Sequence, residues 1–345
     1  MEKPVKAGII GLGTAGRLHL QPMKKLTDLV EVAALCDTDE KVLKKTARKY
    51  KNAKTYTNHL DLLENDEIEA VHILLPHHLH ERIVIDCAKA KKHILCEKPI
   101  AITLEEVDNM IAAVNKAGVK LLVAENQLFL PAHIKMKELL DEGVVGEIKL
   151  IRCFEAGSEI ASMSDPTTWK CSWEEGGGGC WMDSGVHHLA LLHYLIGGVK
   201  GISGTAENLF ACEEKADDNC CFTLKFEHGA IGQIGISFSS AADWDQSTEI
   251  YGTDGTILEN HNWIKPIKYM SKKPGPHQSE WIEPEVVHRP YPGYYGLSFG
   301  EEIKAFYNHL FEGTPYIATP EFVRKDLEVV LAGYEAVKQK KWIYL

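Results

Sequence analysis

A carboxylate and an ammonium stand together at the end of a predicted core strand, in the stretch ILCEKPI. The apolar run through Cys96 predicts a buried strand, and Glu97 and Lys98 follow it directly before Pro99. A surface turn needs no such arrangement, whereas parallel sheets bind their ligands at the carboxyl ends of strands. The stretch therefore indicates a strand end that faces a ligand.

A second candidate group lies in EEGGGGCWMDSGVHHLALLHYLIGG, residues 174–198. Four consecutive glycines let a backbone pass close to something flat or bulky. Asp183–Ile196 has helical periodicity, so Asp183 and His187, at i and i+4, are expected on one face of a helix. A carboxylate that orients an imidazole and raises its basicity suits a general base. The alternative is an Asp favoured by the helix dipole and an ordinary surface histidine.

The pattern GLGTAG, Gly11 to Gly16, fits G-x-G-x-x-G and directly follows a predicted strand. There Gly11 permits a tight turn, Gly13 lets the backbone approach a pyrophosphate, and Gly16 lets helix and strand pack closely. Asp37 closes the second strand, 21 residues after Gly16, where a carboxylate takes both ribose hydroxyls. Because it would repel a 2′-phosphate, NAD is predicted in preference to NADP. A structural turn with an ordinary helix-terminal Asp is the alternative.

The elements that must position these groups alternate over the first 125 residues. Apolar, β-branched runs and helix-period segments follow one another, which predicts βαβ units and a parallel sheet covered on both faces. The predicted strands are Val5–Ile10, Val30–Cys36, Ile68–Leu75, Ile94–Cys96 and Val119–Ala124; the predicted helices run to about Leu26 and over Thr38–Tyr50, His78–Lys91 and Thr103–Ala117.

After about residue 125 the pattern changes to longer alternating strands joined by turns. The fold class is thus α/β, with an N-terminal Rossmann dinucleotide-binding domain over 1–125 and an α+β domain with a large, mainly antiparallel open-faced sheet over 126–345. The predicted elements here are helices Pro131–Glu142, Ser298–Phe311 and Pro320–Lys338, and strands Glu147–Glu155, Cys220–Phe226, Ile231–Ser237, Thr248–Tyr251 and Thr256–Leu258.

Composition excludes several classes of protein. The 345 residues, 45% hydrophobic and 25% charged, fit two globular domains. A net charge of -11 without a basic block argues against a nucleic-acid partner, and no apolar run reaches the ~18 residues of a membrane span. The start MEKPVKAGIIG enters a strand at once, which predicts no signal peptide. Nine cysteines without paired spacing predict reduced thiols of a cytoplasmic protein. Neither Cys171 with Cys180 nor Cys220 with Cys221 fits a zinc site, so no metal is predicted.

Taken together, these motifs resemble the Gfo/Idh/MocA family of nicotinamide-dependent oxidoreductases, the glucose–fructose oxidoreductase and inositol dehydrogenase group. The resemblance covers nearly the whole chain and rests on GLGTAG, LLPHHLH, CEKPI and GGGGCWMDSGVHH. It implies that Lys98, joined to Pro99 by a cis bond, lies beside the nicotinamide and hydrogen-bonds the reacting hydroxyl. It further implies that Asp183 and His187 complete the catalytic group and that Glu97 contacts the cofactor.

The resemblance implies two sets of binding residues and a homo-oligomer, a dimer or tetramer formed through the C-terminal sheet. In the family segment T-P-N-x-x-H, this chain keeps Pro76 and His80 but has Leu75 and His77 where Thr and Asn usually stand. Trp169 is expected to cover the nicotinamide or a sugar ring face, with core packing as the alternative. The implied cofactor-binding residues are Gly11, Gly13, Thr14, Ala15, Gly16, Asp37, Leu75, Pro76, His80, Glu97, Lys98 and Asn126, and the substrate-binding residues are Lys98, Trp169, Asp183 and His187.

The implied reaction is hydride transfer between a ring secondary hydroxyl of a sugar, cyclic polyol or glycoside and nicotinamide. The cofactor carries the hydride, while the protein supplies alignment and proton management. Lys98 would stabilise alkoxide character, and His187, held by Asp183, would accept the proton. Two alternatives stay open. One is a glycoside-modifying enzyme or glycosidase that oxidises a ring hydroxyl transiently with tightly bound NAD, and the other is a non-catalytic dinucleotide sensor.

Overall fold

A computed structural model describes residues 3–165, 167–170, 172–210, 216–241 and 243–345. Cys171, considered above as a possible metal ligand, lies outside these residues. The described strands are β1 Val5–Ile10, β2 Val30–Cys36, β3 Lys54–Tyr56, β4 Ala70–Ile73, β5 His93–Glu97, β6 Leu121–Ala124, β7 Ile148–Ala156, β8 Val199–Glu207, β9 Asn219–Phe226, β10 Ile231–Ser237, β11 Asp245–Gly252, β12 Gly255–Asn260, β13 Ile267–Ser271, β14 Trp281–Ile282 and β15 Ile343–Tyr344.

The helices follow the same chain order, with short 3₁₀ turns at His77–Leu79 and Asn126–Phe129. The α-helices are α1 Thr14–Met23, α2 Glu40–Ala47, α3 His59–Leu63, α4 His80–Lys89, α5 Leu104–Ala117, α6 Pro131–Asp141, α7 Ile160–Met163, α8 Trp173–Gly176, α9 Cys180–Asp183, α10 Gly185–Ile196, α11 Gly293–Glu312 and α12 Pro320–Gln339. Among the described residues, no helix is both long and apolar enough to cross a membrane.

The chain divides into two compact units. The first comprises residues 1–126 and 298–324, and the second comprises 127–297 and 325–345. The first segment of the first unit ends at residue 126, and the predicted domain boundary lies near residue 125. Residues 298–324, however, belong to the first unit, whereas the sequence analysis assigned them to the second domain.

The first unit is a six-stranded parallel sheet in the order β3-β2-β1-β4-β5-β6. Strands β4 and β6 are buried at every residue, as expected of parallel strands covered on both faces. Local signals set the bounds of α5, between β5 and β6: Thr103 and Glu106 form a capping box at its start, and Gly118, with φ of 72°, ends it. The predicted Rossmann fold is confirmed.

Specific contacts hold the segment 298–324 to the first unit. The Tyr316 hydroxyl donates to the carbonyl oxygen of Val123 at 2.9 Å. Arg324 makes a bidentate ion pair with Asp108 on α5, at 2.7 and 2.9 Å. Amphipathic periodicity shows that α11 and α12 bury one face, but it does not identify the partner of that face.

The second unit is a nine-stranded sheet in the order β14-β13-β12-β11-β7-β10-β9-β8-β15. All pairs are antiparallel except β7 with β10, so the prediction of a mainly antiparallel sheet is confirmed. Burial alternates residue by residue along β9, β11 and β12, as in a sheet with one covered face. On the opposite face Leu150, Phe154 and Ile231 are 37%, 43% and 49% exposed.

Candidate active site

The glycine-rich turn has the geometry that its sequence predicts. Gly11 has φ of 94°, and a Cβ there would lie 2.2 Å from the carbonyl oxygen of Leu74. A Cβ on Gly16 would lie 2.4 Å from the carbonyl oxygen of Gly11, so α1 packs closely on the turn. A Cβ on Gly13 would meet none of the described atoms within 4 Å. Two glycines therefore build the turn, and the third borders open space.

The start of α1 is suited to an anion. No side chain caps this helix and no acidic residue stands in its first turn, within the described residues. Helices α2 and α5, by contrast, are capped by Asp39 and Thr103. Gly13 and Thr14 are exposed and Ala15 is half-buried. Since the first N–H groups of a helix have no intrahelical partner and lie at the positive end of its dipole, they fit the diphosphate of a dinucleotide.

Asp37, directly after β2, supports the same turn. Its Oδ2 accepts a hydrogen bond from the Leu12 N–H at 2.8 Å, and its Oδ1 accepts one from the Asp39 N–H at 2.8 Å. The residue is half-buried. A carboxylate has about four acceptor sites, so these bonds leave room for the predicted ribose contact. Asp37 thus also anchors the glycine-rich turn, which its position in the sequence does not reveal.

Lys98 lies at the carboxyl end of β5, between the ends of β4 and β6. Its bond to Pro99 is cis, as the resemblance implies. The residue is half-buried, and its backbone N–H donates to Oε2 of Glu97 at 3.1 Å. Lys98 thus follows the end of a core strand, as the sequence pattern predicts, and its contact with a ligand stays a prediction.

The Glu97 side chain lies in the protein interior. Its Oε1 lies 3.0 Å from Nε2 of His19 on α1, and the residue is 8% exposed. The resemblance implies a cofactor contact for Glu97. In the structure its carboxylate connects the end of β5, directly before Lys98, to helix α1, which begins at the glycine-rich turn.

The His19 side chain belongs to a buried polar network that the sequence analysis missed. Its Nδ1 lies 3.2 Å from Nδ1 of His72, and its Nε2 lies 3.9 Å from Oε1 of Glu302. Burial, together with the negative charges of neighbouring carboxylates, holds the pKa of Glu302 well above its usual value. The available sequence signal was a histidine three residues after Gly16, on the buried side of α1.

His80 fixes the loop that carries Lys98. Its Nε2 lies 2.9 Å from the carbonyl oxygen of Leu75, and its Nδ1 lies 2.9 Å from that of Pro99. The side chain is 0% exposed, and burial lowers its pKa against the opposing effect of these carbonyls. A direct cofactor contact was predicted for His80. Because a neutral imidazole has one N–H, the ring donates to only one of these two carbonyls. The cofactor contact of His80 stays a prediction.

The remaining predicted cofactor contacts differ in accessibility. Leu75 and Pro76, which follow β4, are half-buried and lie at the same edge of the sheet as Lys98. Asn126 is 3% exposed, and its Nδ2 donates to Oγ of Ser298 at 2.8 Å. Asn126 therefore connects two chain segments of the first unit, and its contact with the cofactor stays a prediction.

In the second unit, the glycine run packs against the protein itself. A Cβ on Gly178 would lie 2.1 Å from the Tyr334 hydroxyl oxygen, and one on Gly179 would lie 1.8 Å from the Asp217 carbonyl oxygen. The Asp217 carboxylate accepts from the N–H groups of Gly179 and Trp181, at 2.9 and 2.8 Å, and from the Tyr334 hydroxyl at 2.7 Å. The bulky partner expected from the four glycines is thus an internal one, and it fixes the start of α9.

Asp183, at the end of α9, forms an ion pair that the sequence analysis did not predict. Its Oδ2 accepts a hydrogen bond from Nζ of Lys170 at 3.1 Å, and the same Nζ lies 3.6 Å from Oε2 of Glu159. Burial alone would lower the pKa of Lys170, but the two carboxylates raise it above its usual value. Trp169 is half-buried, and its ring centroid lies 5.9 Å from the same ammonium. No motif marked Lys170, because its partners are distant in sequence.

Asp183 and His187 do not share one continuous helix, which corrects the prediction. Helix α9 ends at Asp183 and α10 begins at Gly185. The His187 N–H donates to the Ser184 carbonyl oxygen at 3.0 Å, a tighter turn than the i to i−4 pattern. A Cβ on Gly185 would lie 2.5 Å from the Trp181 ring, so the chain bends closely around this buried side chain. Asp183 and His187 are both half-buried.

The residue after His187 is part of a buried polar cluster. Nε2 of His188 lies 2.9 Å from Oε2 of Glu155 on β7. The Ser184 hydroxyl donates to Oε1 of Glu155 at 2.9 Å, and Nε2 of Gln246 donates to its Oε2 at 3.3 Å. Burial would raise the pKa of Glu155, but these donors hold it below its usual value. The cluster connects the start of α10 to β7 and β11.

The structure thus gathers the predicted residues into two groups, one in each unit. The glycine-rich turn, Asp37, Leu75 and Lys98 all lie at the carboxyl ends of strands of one parallel sheet, the edge where dinucleotides bind. Asp183 and His187 lie in the second unit, on either side of the break between α9 and α10. Together with the Rossmann topology, they define the class of the protein as a dinucleotide-dependent oxidoreductase.

Comparison with known proteins identifies the family. Residues 5–125 match the oxidoreductase family with an NAD-binding Rossmann fold, and residues 133–258 match the GFO/IDH/MocA C-terminal domain. An uncharacterized oxidoreductase, YrbE, of Bacillus subtilis (strain 168) is 30% identical over 76% of this chain and 75% of its own length. The chain belongs to the GFO/IDH/MocA family of oxidoreductases, and NAD is its cofactor.

Two further relatives cover almost the whole chain. Myo-inositol 2-dehydrogenase of Thermotoga maritima is 27% identical over 99% of this chain and 98% of its own length. The structure of levoglucosan dehydrogenase in complex with NADH and levoglucosan superposes with a TM-score of 0.89, at 22% identity, over 99% of both chains. The structural similarity supports the fold.

Proposed function

We propose that this enzyme transfers hydride between NAD and a ring secondary hydroxyl of a cyclic polyol, sugar or glycoside. The observation that carries the proposal is the position of Lys98, a half-buried ammonium at the carboxyl end of β5. That edge also holds the glycine-rich turn and Asp37, which suit a dinucleotide. The proposal takes its substrate class from relatives named as myo-inositol and levoglucosan dehydrogenases.

Each catalytic residue has one task. NAD, when bound, supplies the hydride-transfer chemistry. Lys98 donates a hydrogen bond to the reacting oxygen and stabilises the negative charge that develops there. His187 takes the proton of the hydroxyl at a ring nitrogen, and Asp183 offsets the positive charge that His187 then acquires. Lys170 fixes the orientation of Asp183 through their 3.1 Å hydrogen bond.

We also propose a cytoplasmic homo-oligomer, a dimer or tetramer, that assembles through the exposed face of the nine-stranded sheet. Leu150, Phe154 and Ile231 form an apolar patch on neighbouring strands β7 and β10, where Leu150 pairs with Ile231. Exposed apolar patches of this kind mark association surfaces. A cytoplasmic location is supported by the seven free cysteines among the described residues, six of them buried.

The test combines a substrate screen with a Lys98 variant. Polyols, sugars and glycosides are incubated with NAD, and products are followed by NADH absorbance and by mass spectrometry together. Lys98→Met should bind NAD normally but lose kcat by ~10²- to 10³-fold, because the ammonium acts mainly in the transition state. Lys89→Met is the matched control, because its exposed side chain pairs only with Asp86 in the described structure. Wild-type kcat in Lys98→Met would contradict the proposal.

The screen also separates the proposal from transient glycoside oxidation. A dehydrogenase accumulates NADH and the keto product in equal amounts. Cleavage or epimerisation of a glycoside without net NADH would instead indicate the glycoside-modifying alternative. Binding of NAD without turnover of any compound in the screen would favour the sensor.

A further inference from the structure

Three ligand-type side chains meet in the interior of the second unit. His133 lies in the first turn of α6, Glu259 lies on β12, and His261 follows β12 directly. They are 1%, 1% and 2% exposed. Side chains of these types lose water on burial and need compensating partners.

The cluster is incompletely satisfied by the protein. Neither carboxylate oxygen of Glu259 has a hydrogen bond of acceptable geometry among the described residues. Buried polar atoms are bonded in the great majority of cases, and a buried carboxylate is the costliest exception. The contacts of Glu259 with the two imidazoles are long, at 3.3 and 3.8 Å.

The spacing of the ligand atoms matches a metal-binding geometry. The Nε2 atoms of His133 and His261 are 3.3 Å apart, and Nε2 of His261 lies 3.3 Å from Oε1 of Glu259. In a tetrahedral zinc site with bonds of about 2.05 Å, neighbouring ligand atoms are about 3.3 Å apart. In an octahedral site with bonds of about 2.1 Å they would be about 3.0 Å apart. The two 3.3 Å distances agree with the tetrahedral case, and the third, 3.8 Å from Nε2 of His133 to Oε2 of Glu259, is longer than either ideal value.

The tautomer of His133 agrees with this arrangement. Its Nδ1 lies 2.6 Å from the carbonyl oxygen of Gln127, so this nitrogen carries the proton and donates it. The lone pair of the neutral ring is then on Nε2, which faces His261 and Glu259. A ligating histidine whose other nitrogen donates to a backbone carbonyl is the usual arrangement around protein-bound zinc.

We infer that Nε2 of His133, Nε2 of His261 and the Glu259 carboxylate bind a divalent transition-metal ion, for which Zn²⁺ fits best. Two imidazoles and one carboxylate leave a fourth tetrahedral position for water. The sequence predicts no metal, because His133 is distant in the chain from Glu259 and His261 and the three residues form no spaced cysteine or histidine motif. Bound metal would hold α6 to the end of β12.

A second cluster, Cys180, Asp217 and Cys220, serves as the comparison. Its ligand-type atoms are also close together and buried. The Asp217 carboxylate, however, already accepts hydrogen bonds from two backbone N–H groups and a hydroxyl. The Cys180 thiol also donates to Oδ2 of Asp217 at 3.2 Å. This cluster has no unmet need for an ion.

The test is a titration of the full-length protein with Zn²⁺ alone, after treatment with EDTA and removal of the chelator. The wild type should bind one ion per chain, measured by calorimetry and by elemental analysis, and should melt at a higher temperature with the ion than without it. Glu259→Gln and His261→Asn should each weaken binding by more than ~100-fold, since even second-shell losses cost 10- to 100-fold. Cys180→Ser is the matched control and should bind as the wild type does.

A second measurement does not depend on how the variants fold. Co²⁺ bound to the wild type should give the visible spectrum of a tetrahedral nitrogen and oxygen site, without a thiolate-to-metal band. A thiolate band would place the ion on cysteines and overturn the inference. The absence of saturable Zn²⁺ binding by the wild type, or wild-type affinity in both ligand variants, would overturn it equally.

Discussion

Asp37 gives the sharpest test of cofactor recognition, because its carboxylate has two roles that different substitutions separate. It accepts the Leu12 N–H within the glycine-rich turn, and it is predicted to accept both ribose hydroxyls of NAD. Asp37→Asn keeps an oxygen that can accept the Leu12 N–H but removes the charge. Asp37→Ala removes the oxygen as well, so the turn loses its support.

The magnitudes follow from the strengths of hydrogen bonds. Bonds to charged groups contribute ~1.5–3 kcal/mol and neutral ones ~0.5–1.5 kcal/mol, so two ribose bonds lose about 2–3 kcal/mol in Asp37→Asn. NAD should therefore bind roughly 30- to 150-fold more weakly. Repulsion between the carboxylate and a 2′-phosphate at ~5 Å in water is about 1–2 kcal/mol, so NADP should bind about tenfold more tightly to Asp37→Asn. Asp37→Ala should weaken NAD further and should lose much of the NADP gain.

The assay is fluorescence titration of both cofactors into the wild type, the two Asp37 variants and Glu40→Gln. Glu40 is the matched control, since it is exposed, close in sequence, and paired with Lys44. Unchanged cofactor preference in Asp37→Asn would refute the ribose contact. Identical behaviour of the Asn and Ala variants would refute the supporting role in the turn.

Two other predictions address residues that only the structure revealed. Lys170→Met should lower kcat about 10- to 100-fold with little change in NAD affinity, because Asp183 loses a charge-assisted hydrogen bond of ~1.5–3 kcal/mol. Lys149→Met, at an exposed lysine, is the control. Equal kinetics of the two variants would contradict the proposed role of Lys170 in orienting Asp183. The pKa of Glu302 is raised in the folded protein, so above pH ~4.3 the folded state holds a proton that the unfolded state has lost. The free energy of unfolding therefore falls as the pH rises, by up to about 1.4 kcal/mol per pH unit. Between about pH 5 and pH 8, the melting temperature of Glu302→Gln should therefore fall less than that of the wild type or of the exposed control Glu301→Gln. Parallel plots of melting temperature against pH for the three proteins would show that Glu302 does not titrate in this range.

The local features of the site could be predicted from the sequence because each depends on neighbours in the chain. The conformation of Gly11 and the position of Lys98 at a strand end follow from short motifs, and the cis bond before Pro99 is implied by the family resemblance. The predicted bounds of strands were less accurate where a strand is defined by its pairing with a neighbouring strand and not by a pattern of apolar residues. Strands β14 and β15 have only two residues each and exist through their partners at the two edges of the sheet.

The Asp183 prediction shows where local reasoning stops. Periodicity indicated one helix through Asp183 and His187, since both segments are apolar and helix-compatible. The break at Ser184 is set by contacts with distant residues, because Asp217 holds the start of α9 and the buried Trp181 ring packs against Gly185. Neither contact leaves a periodic signal in the sequence.

The sequence by itself determined the Rossmann fold, the NAD preference and the identity of the residues expected to do chemistry. These depend on backbone conformations and charges that lie within a few residues of one another. Tertiary structure alone decided which side chains support these residues. His19 contacts Glu97, His80 contacts the carbonyl oxygen of Pro99 next to Lys98, and Lys170 donates to Asp183. Such pairs form when packing brings distant segments together. A polar side chain that is buried in this way needs a hydrogen-bond partner. That partner can come from any part of the chain that the fold brings within about 3 Å.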